Sequence, residues 1–241
     1  MSRDRLLRIL GHLGARDGAQ PPGTARRLCE VCAEALDVTG AGVMLVSGDA
    51  PRGSLCSSNS VSALIESLQY TLGEGPCVDA YNSDTPVLEP DLADPATPRW
   101  VAFGPPAVDA GARAVFGFPM RVGAVRLGAL NLYVDRPGAL SDDQHADALV
   151  MAGVAARAVI AMQAQAPPGA LAAELEAGSD FHMVVHQATG MVAAQLDVSL
   201  AEALVRLRAH AFGHDRRLTD VAQDVVARKL RFRDGLPRNP T

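Results

Sequence analysis

No loop able to cradle a nucleotide phosphate is present: the 241 residues contain neither Gly-x-x-x-x-Gly-Lys nor a Gly-x-Gly-x-x-Gly that follows a strand into a helix. Nucleotide hydrolysis is therefore unsupported. No Ser, His and Asp set stands at a recognisable catalytic spacing, and the N-terminal half lacks the early acidic pair, the strand-end Asp and the Lys of a phospho-receiver. The chain is expected not to be an enzyme and to use no cofactor and no metal. A secretory signal is missing too, because Leu6–Leu13 is a short amphipathic stretch containing Arg8, with no small-residue cleavage pattern behind it. The most apolar segment, Ala146–Met162, is short for a bilayer and contains Arg157, so it reads as a buried or interfacial helix. A cytoplasmic location is expected. There are only four cysteines, and in a cytosolic chain they are expected to be reduced thiols.

What is present is enough apolar residue, 48%, for one large or two modest domains. Charge is unevenly spread. The net −5 argues against a general nucleic-acid binder, yet residues 201–241 carry nine Lys plus Arg against five Asp plus Glu, which leaves that end at +4 and the rest at −9. An acidic body thus carries a basic C-terminal segment suited to phosphate, although solvated Arg on an ordinary helix face would look similar.

Local pattern sets the elements. Residues 1–20 read as a weak helix closed by Pro21-Pro-Gly23, and Thr24–Leu36 as a helix with Leu28, Val31, Cys32, Ala35 and Leu36 inward. Ala41–Ser47 and Gly53–Ser58 read as strands joined by a turn at Asp49–Arg52. A helix is expected over Ser60–Leu68, a turn at Gly73-Glu-Gly-Pro76 with a helix turn from Cys77, a short strand at Pro86–Glu89, loop over Asp91–Pro98 and a helix over Arg99–Ala110. Residues 114–122 and 124–134 form the clearest hairpin, turning at Gly123, with Pro119 marking a bulge. Ser141-Asp-Asp-Gln144 is a capping box that launches a helix to about Gln165, and Gln165-Ala-Pro-Pro-Gly169 ends it. Leu171–Glu176 reads as a helical connector.

This order resembles a GAF domain over roughly residues 20–165, carried by Phe118-Pro-Met120, Leu127-Gly-Ala-Leu130 and the helix that starts at Ser141. Some GAF domains hold a bilin through Cys. The His usual in those photoreceptors is missing, since Val78 follows Cys77.

Further on, Ser199 and Glu202 form a second capping box, and Ala203, Leu204, Leu207 and Ala211 share one stripe with Arg206, Arg208 and His210 largely off it. Thr219 is the natural cap of a third helix with Asp220 in its first turn and Val221, Ala222, Val225 and Val226 inward. Gly190-Met191, Ser199-Leu-Ala-Glu202, Leu207-Arg-Ala-His-Ala211 and Arg216–Ala222 together resemble the ANTAR family, the RNA-binding antitermination module, over roughly residues 178–232. Phe212 and Asp215 replace a usual basic residue and a common Asn, which predicts weaker RNA affinity than the family norm.

The two resemblances imply an α+β chain: an N-terminal helical extension (1–19), a GAF sensor with an antiparallel sheet flanked by helices (20–165), a linker (166–177), an all-α three-helix ANTAR bundle (178–232) and a tail (233–241). They imply an antitermination regulator that senses a small molecule or a redox signal, binds hairpin loops of leader transcripts and forms a homodimer, with no membrane partner. RNA contact is expected from Arg208, Phe212, Arg216, Arg217, Thr219, Asp220, Arg228 and Lys229, with Phe212 either a stacking ring or core. The other reading is a ligand or redox sensor whose C-terminal bundle mediates protein interaction or dimerisation.

Paired histidines and the cysteines invite other chemistry. His182 and His186 have the spacing of a zinc-protease helix, but the Glu that would act as its base is absent from the three residues between them, so surface or interface histidines are expected. His210 and His214 repeat that spacing beside arginines and suit phosphate or base contact. Cys29-x-x-Cys32 lies in a helical pattern without a second pair, so both are expected as buried small hydrophobes. Cys77 at a helix start is expected to have its pKa lowered by the dipole, with redox sensing or packing as its roles.

Overall fold

The computed structural model describes residues 25–47, 50–94, 99–165, 180–214 and 216–232. The helix expected over 1–20, the connector at 171–176, the linker and the tail lie outside the described residues. The chain divides into two compact units between Leu175 and Glu176.

In the first unit the order is α1 (Ala25–Leu36), β1 (Gly40–Ser47), β2 (Ala50–Ser57), α2 (Ser60–Leu72), α3 (Pro76–Ser83), β3 (Val87–Glu89), α4 (Gly104–Asp109), β4 (Ala114–Val122), β5 (Val125–Val134) and α5 (Asp142–Gln165). All strands pair antiparallel in the order β2-β1-β5-β4-β3. Strand alternation gives the sheet two buried faces. Ala41, Val43, Phe116, Phe118, Leu130 and Leu132 pack against α1 and α5. Met44, Val115, Ala129 and Tyr133 turn the other way, toward Ile65 of α2, Cys77 of α3 and Phe103 before α4.

Local chemistry sets the helix starts. Asn59 Oδ1 accepts the Ser62 amide at 2.9 Å to begin α2. For α5 the capping box is complete: Ser141 Oγ accepts the Gln144 amide at 3.2 Å, and Gln144 Oε1 accepts the Ser141 amide at 3.1 Å. Expectation and structure part at three places. Pro51 and Arg52 belong to β2 rather than to a turn, tolerated because β2 is an edge strand whose outer side needs no amide donor. The helix foreseen from Arg99 begins only at Gly104, because Pro105 and Pro106 fit a first turn, where missing amides cost nothing. In the hairpin the irregularity falls after Met120, where Leu127 of β5 is unopposed, and not at Pro119.

Gly117 shows how closely α3 rests on β4. A Cβ there would lie 2.2 Å from the Pro76 carbonyl oxygen, so backbone packs directly on backbone. Gly117→Ala is expected to cost roughly 2 to 3 kcal/mol in urea denaturation, the range for overpacking. A loss below about 0.5 kcal/mol would show that α3 yields freely at this point.

Among the described residues the second unit has three helices, α6 (Asp180–Leu196), α7 (Leu200–Gly213) and α8 (Leu218–Val226). Its core is Val185, Ala188, Val192 and Leu196, the expected stripe Ala203, Leu204, Leu207 and Ala211, and Leu218, Val221, Ala222 and Val225. Val226 is only half-buried. Ser199 caps α7 by accepting the Glu202 amide at 3.2 Å, but Glu202 does not complete the box: its carboxylate takes the Arg206 guanidinium at 2.8 Å. An i,i+4 ion pair has displaced the return bond.

Candidate functional site

Of the expected RNA-contact residues, Phe212, Arg216, Arg217, Thr219 and Asp220 lie where α7 ends and α8 begins. Phe212 is 73% exposed on α7, so of its two roles the core one is excluded. Val205, about two turns earlier and so on the same face, is also exposed. After the helix, Arg216 reaches Asp224 on α8 at 2.7 Å, and Arg217 makes two bonds to Asp220, from Nε at 3.0 Å and from a terminal nitrogen at 2.9 Å. The Arg217 guanidinium holds the Asp220 carboxyl below the usual range. Thr219 is not the cap. Helix α8 starts at Leu218, and Arg217 occupies the cap position without a side-chain bond, because Leu218 is drawn into the core and pulls the first turn one step earlier. Arg228 and Lys229 are exposed just past the other end of α8, with Arg228 at φ 61°. Arg208 is half-buried on α7. The cations thus fall at both ends of α8, and two of them are held by carboxylates of that same helix.

His210 and His214 stack with ring centroids 4.0 Å apart, and Phe232 meets His210 edge-on at 5.3 Å. Desolvation first, then His214 and Arg216, lowers the His210 pKa, which disfavours a charged phosphate contact from this ring. The side chain of His182 lies outside the described ones, and His186 is exposed on α6. Among the described residues no three His, Cys, Asp or Glu side chains sit close enough to hold an ion.

The first unit hides a polar group that sequence reasoning missed. Ser62, Ile65, Glu66, Gln69 and Tyr70 form one inward stripe on α2, and Glu66 is 1% exposed. Its carboxylate lies over β1 so closely that a Cβ on Gly42 would fall 2.6 Å from Oε1. Asn131 of β5 is near enough to lower the Glu66 pKa somewhat, yet neither carboxylate oxygen has a partner at hydrogen-bond geometry. Burial dominates and pushes Glu66 up to about 8. The available signal was a charged residue at i, i+3, i+4 spacing among residues that face inward.

Cys77 corrects one expectation. It does sit in the first turn of α3, its amide bonded to Gln69 Oε1 at 2.7 Å, but it is fully buried. Desolvation, followed by the nearby Glu66 charge, raises its pKa well above normal. Burial outweighs the dipole of an eight-residue helix, so this thiol is not an activated nucleophile. A second correction concerns Cys29. It is disulfide-bonded to Cys56 and not a reduced thiol, while Cys32 and Cys77 are free and buried.

An open cleft of about 480 Å³ lies between the loop after β3 and α4, lined by Glu89, Asp91, Arg99, Trp100, Val108 and Asp109. Arg99 stands 5.1 Å over the Trp100 ring and pairs with Asp79 at 3.3 Å.

Comparison with known families decides what the first unit is. The family model of the GAF domain matches residues 19–161. The chain belongs to the GAF family. The model of the ANTAR domain matches residues 173–226, so the second unit carries the ANTAR domain. No curated protein matches. Among solved structures, the chain is similar to the GAF domain of a phosphoenolpyruvate-protein phosphotransferase from Coxiella burnetii, at 16% identity and TM-score 0.50, covering 68% of this chain and 98% of that one. It is also similar to the GAF domain of the Acinetobacter phosphoenolpyruvate-protein phosphotransferase (12%, TM-score 0.49, 69% and 99%) and to a free methionine-R-sulfoxide reductase from Neisseria meningitidis (14%, TM-score 0.47, 69% and 96%). At such identities the likeness shows the fold alone. GAF followed by ANTAR is the architecture of a signalling regulator with an ANTAR output domain.

Within the GAF domain α5 spans Asp142–Gln165, the length expected from the Ser141 cap and the break after Gln165. Over Asp142–Ala164 it is long and apolar enough to cross a membrane by length and composition, and half of its most apolar 18-residue window is buried inside the structure. Leu149 and Ile160 remain exposed on it.

Proposed function

We propose that this chain is an RNA-binding antitermination regulator, in which the GAF domain senses a small molecule or a redox signal and the ANTAR domain holds hairpin loops of nascent transcripts. The observation that carries this reading is the exposed Phe212 ring in the last turn of α7, together with exposed cations at the two ends of α8. Unstacked loop bases would lie on the ring, and Arg208, Arg216, Arg217, Arg228 and Lys229 would hold backbone or base edges. Thr219 and Asp220, in the first turn of α8, would contact the loop from the helix start. Such a regulator works in the cytoplasm, beside the polymerase. It pairs as a homodimer through the Leu149 and Ile160 face of α5, with an effector site in the GAF domain.

One observation favours a different reading. Val205 and Phe212 expose an apolar strip on α7 while Arg216 and Arg217 are already occupied by Asp224 and Asp220. That arrangement suits a protein partner. A salt titration of RNA hairpin binding, with molecular mass followed by light scattering, separates the two. With three or four phosphate contacts the logarithm of the affinity should fall with the logarithm of salt at a slope of about −2 to −3. Absence of saturable RNA binding at low salt would favour the protein-interaction reading, and a monomeric mass at micromolar concentration would remove the dimer.

A further inference from the structure

Cys29 lies on α1 and Cys56 on the edge strand β2, 27 residues apart in sequence with Cα atoms 6.0 Å apart, and the bond between them fastens helix to strand. Strand β2 pairs on one side only, with β1. Its register slips twice, leaving Arg52 and Leu55 unopposed, and Leu55 immediately precedes Cys56. An edge strand broken by bulges opens at lower cost than a central one. Both residues are buried, Cys56 less completely, at 7% exposed against 0% for Cys29. A small reagent therefore reaches the pair from the β2 side.

The other two sulfurs are placed so that they do not compete. Cys32, one turn along α1 in the same core, is fully buried, and burial pushes its thiol up to about 12. The sulfur within bonding reach of Cys56 is that of Cys29, not that of Cys32. Cys77 belongs to the core on the opposite face of the sheet.

We propose that Cys29 and Cys56 form a reversible thiol–disulfide site of the GAF domain, whose reaction partner is a low-molecular-weight disulfide of the glutathione type. The proposal rests on the sensor reading above and names the chemistry of its signal. In the reduced chain the Cys56 thiol gives its proton to water and its sulfur attacks one sulfur of the small disulfide. A mixed disulfide forms and one small thiolate leaves, taking up a proton. The Cys29 sulfur then loses its proton and attacks Cys56, which makes the intramolecular bond and expels the second small thiolate, protonated in turn. Two protein thiols are oxidised, one small disulfide is reduced to two thiols, and no net proton is exchanged.

The consequence follows from what α1 touches. It shares a core with α5, and Gln144 at the start of α5 donates to the Leu36 carbonyl at the end of α1 at 3.0 Å. Helix α5 is the element from which the chain continues toward the ANTAR domain. Fixing α1 to β2 thus biases the helix that leaves the sensor.

The test uses the full chain, equilibrated in buffers of graded reduced to oxidised glutathione, quenched with acid, alkylated in denaturant and read by mass spectrometry. Four alkylated cysteines are expected at the reducing end. At the oxidising end two are expected, Cys32 and Cys77, with Cys29 and Cys56 in one linked peptide. Added reduced glutathione should restore four while the far-ultraviolet circular dichroism holds. Cys32→Ser should leave this behaviour unchanged, and Cys56→Ser should remove the two-thiol state. The proposal is overturned if the linked peptide never accumulates, if Cys32 or Cys77 enters the bond, or if reduction occurs only on unfolding. Hairpin affinities of the two forms should differ by at least about 5-fold. Equal affinities would overturn the link through α5. A reversible bond in a chain that binds no RNA in either form would leave the site standing and remove the RNA reading instead.

Discussion

Replacing Glu66 with glutamine is expected to stabilise the protein by about 5 kcal/mol at pH 9 and to leave its stability unchanged at pH 4. The carboxyl is buried against Gly42 and titrates at about 8 in the folded chain, against 4.5 when unperturbed. Below about pH 4.5 both folded and unfolded chains hold the proton, so the group contributes nothing to the pH dependence. Between the two values only the unfolded chain releases it, and each pH unit costs the fold about 1.4 kcal/mol. Above about 8 both states are ionised and the full penalty is in place. Stability from this group is therefore present at acid pH and lost as pH rises through the window. Glutamine keeps the shape of the protonated acid and has no charge to bury. Urea denaturation of both proteins at pH 4, 6.5 and 9 measures the difference directly. A difference that stays flat across those pH values would show that Glu66 does not titrate inside the fold.

Reversing Arg216 and Arg217 together to glutamate is expected to weaken hairpin binding by about 100-fold or more. Both side chains are exposed, so the bundle should survive, which circular dichroism would confirm. The present structure adds a constraint, because RNA must compete with Asp224 for Arg216 and with Asp220 for Arg217. Asp224→Asn should consequently tighten binding several-fold by freeing its cation. Fluorescence anisotropy with one labelled hairpin at fixed salt reads both changes. Undiminished binding by the folded double variant would remove these arginines from the interface.

Short-range chemistry was readable wherever it decided the outcome. Ser141 with Gln144 starts α5 through bonds between residues three apart, and Ser199 starts α7 in the same way. The helical stripe Ala203, Leu204, Leu207 and Ala211 becomes core because its spacing allows one face only. Strands β4 and β5, continuous apolar runs meeting at a glycine, fall at the middle of the sheet for the same reason.

The candidate site was legible in part. Residue type and order bring Arg216, Arg217, Arg228 and Lys229 to the two ends of one short helix, but which carboxylates they meet depends on how the turn before α8 closes. That turn is set by Leu218 entering the core, which also takes the cap position away from Thr219.

The sequence by itself determined the α+β division, the GAF and ANTAR order and the starts of α5 and α7, since propensity, capping and period act over a few residues. Tertiary structure alone decided three matters. Cys29 meets Cys56 and not its neighbour Cys32, because the folding of β2 against α1 brings together sulfurs that no spacing rule pairs. Glu66 is buried instead of solvated, because the face of α2 that carries it lies against the glycine backbone of β1. Cys77 is an inert thiol instead of an activated one, because the sheet removes water from the helix start that would otherwise have favoured its charge.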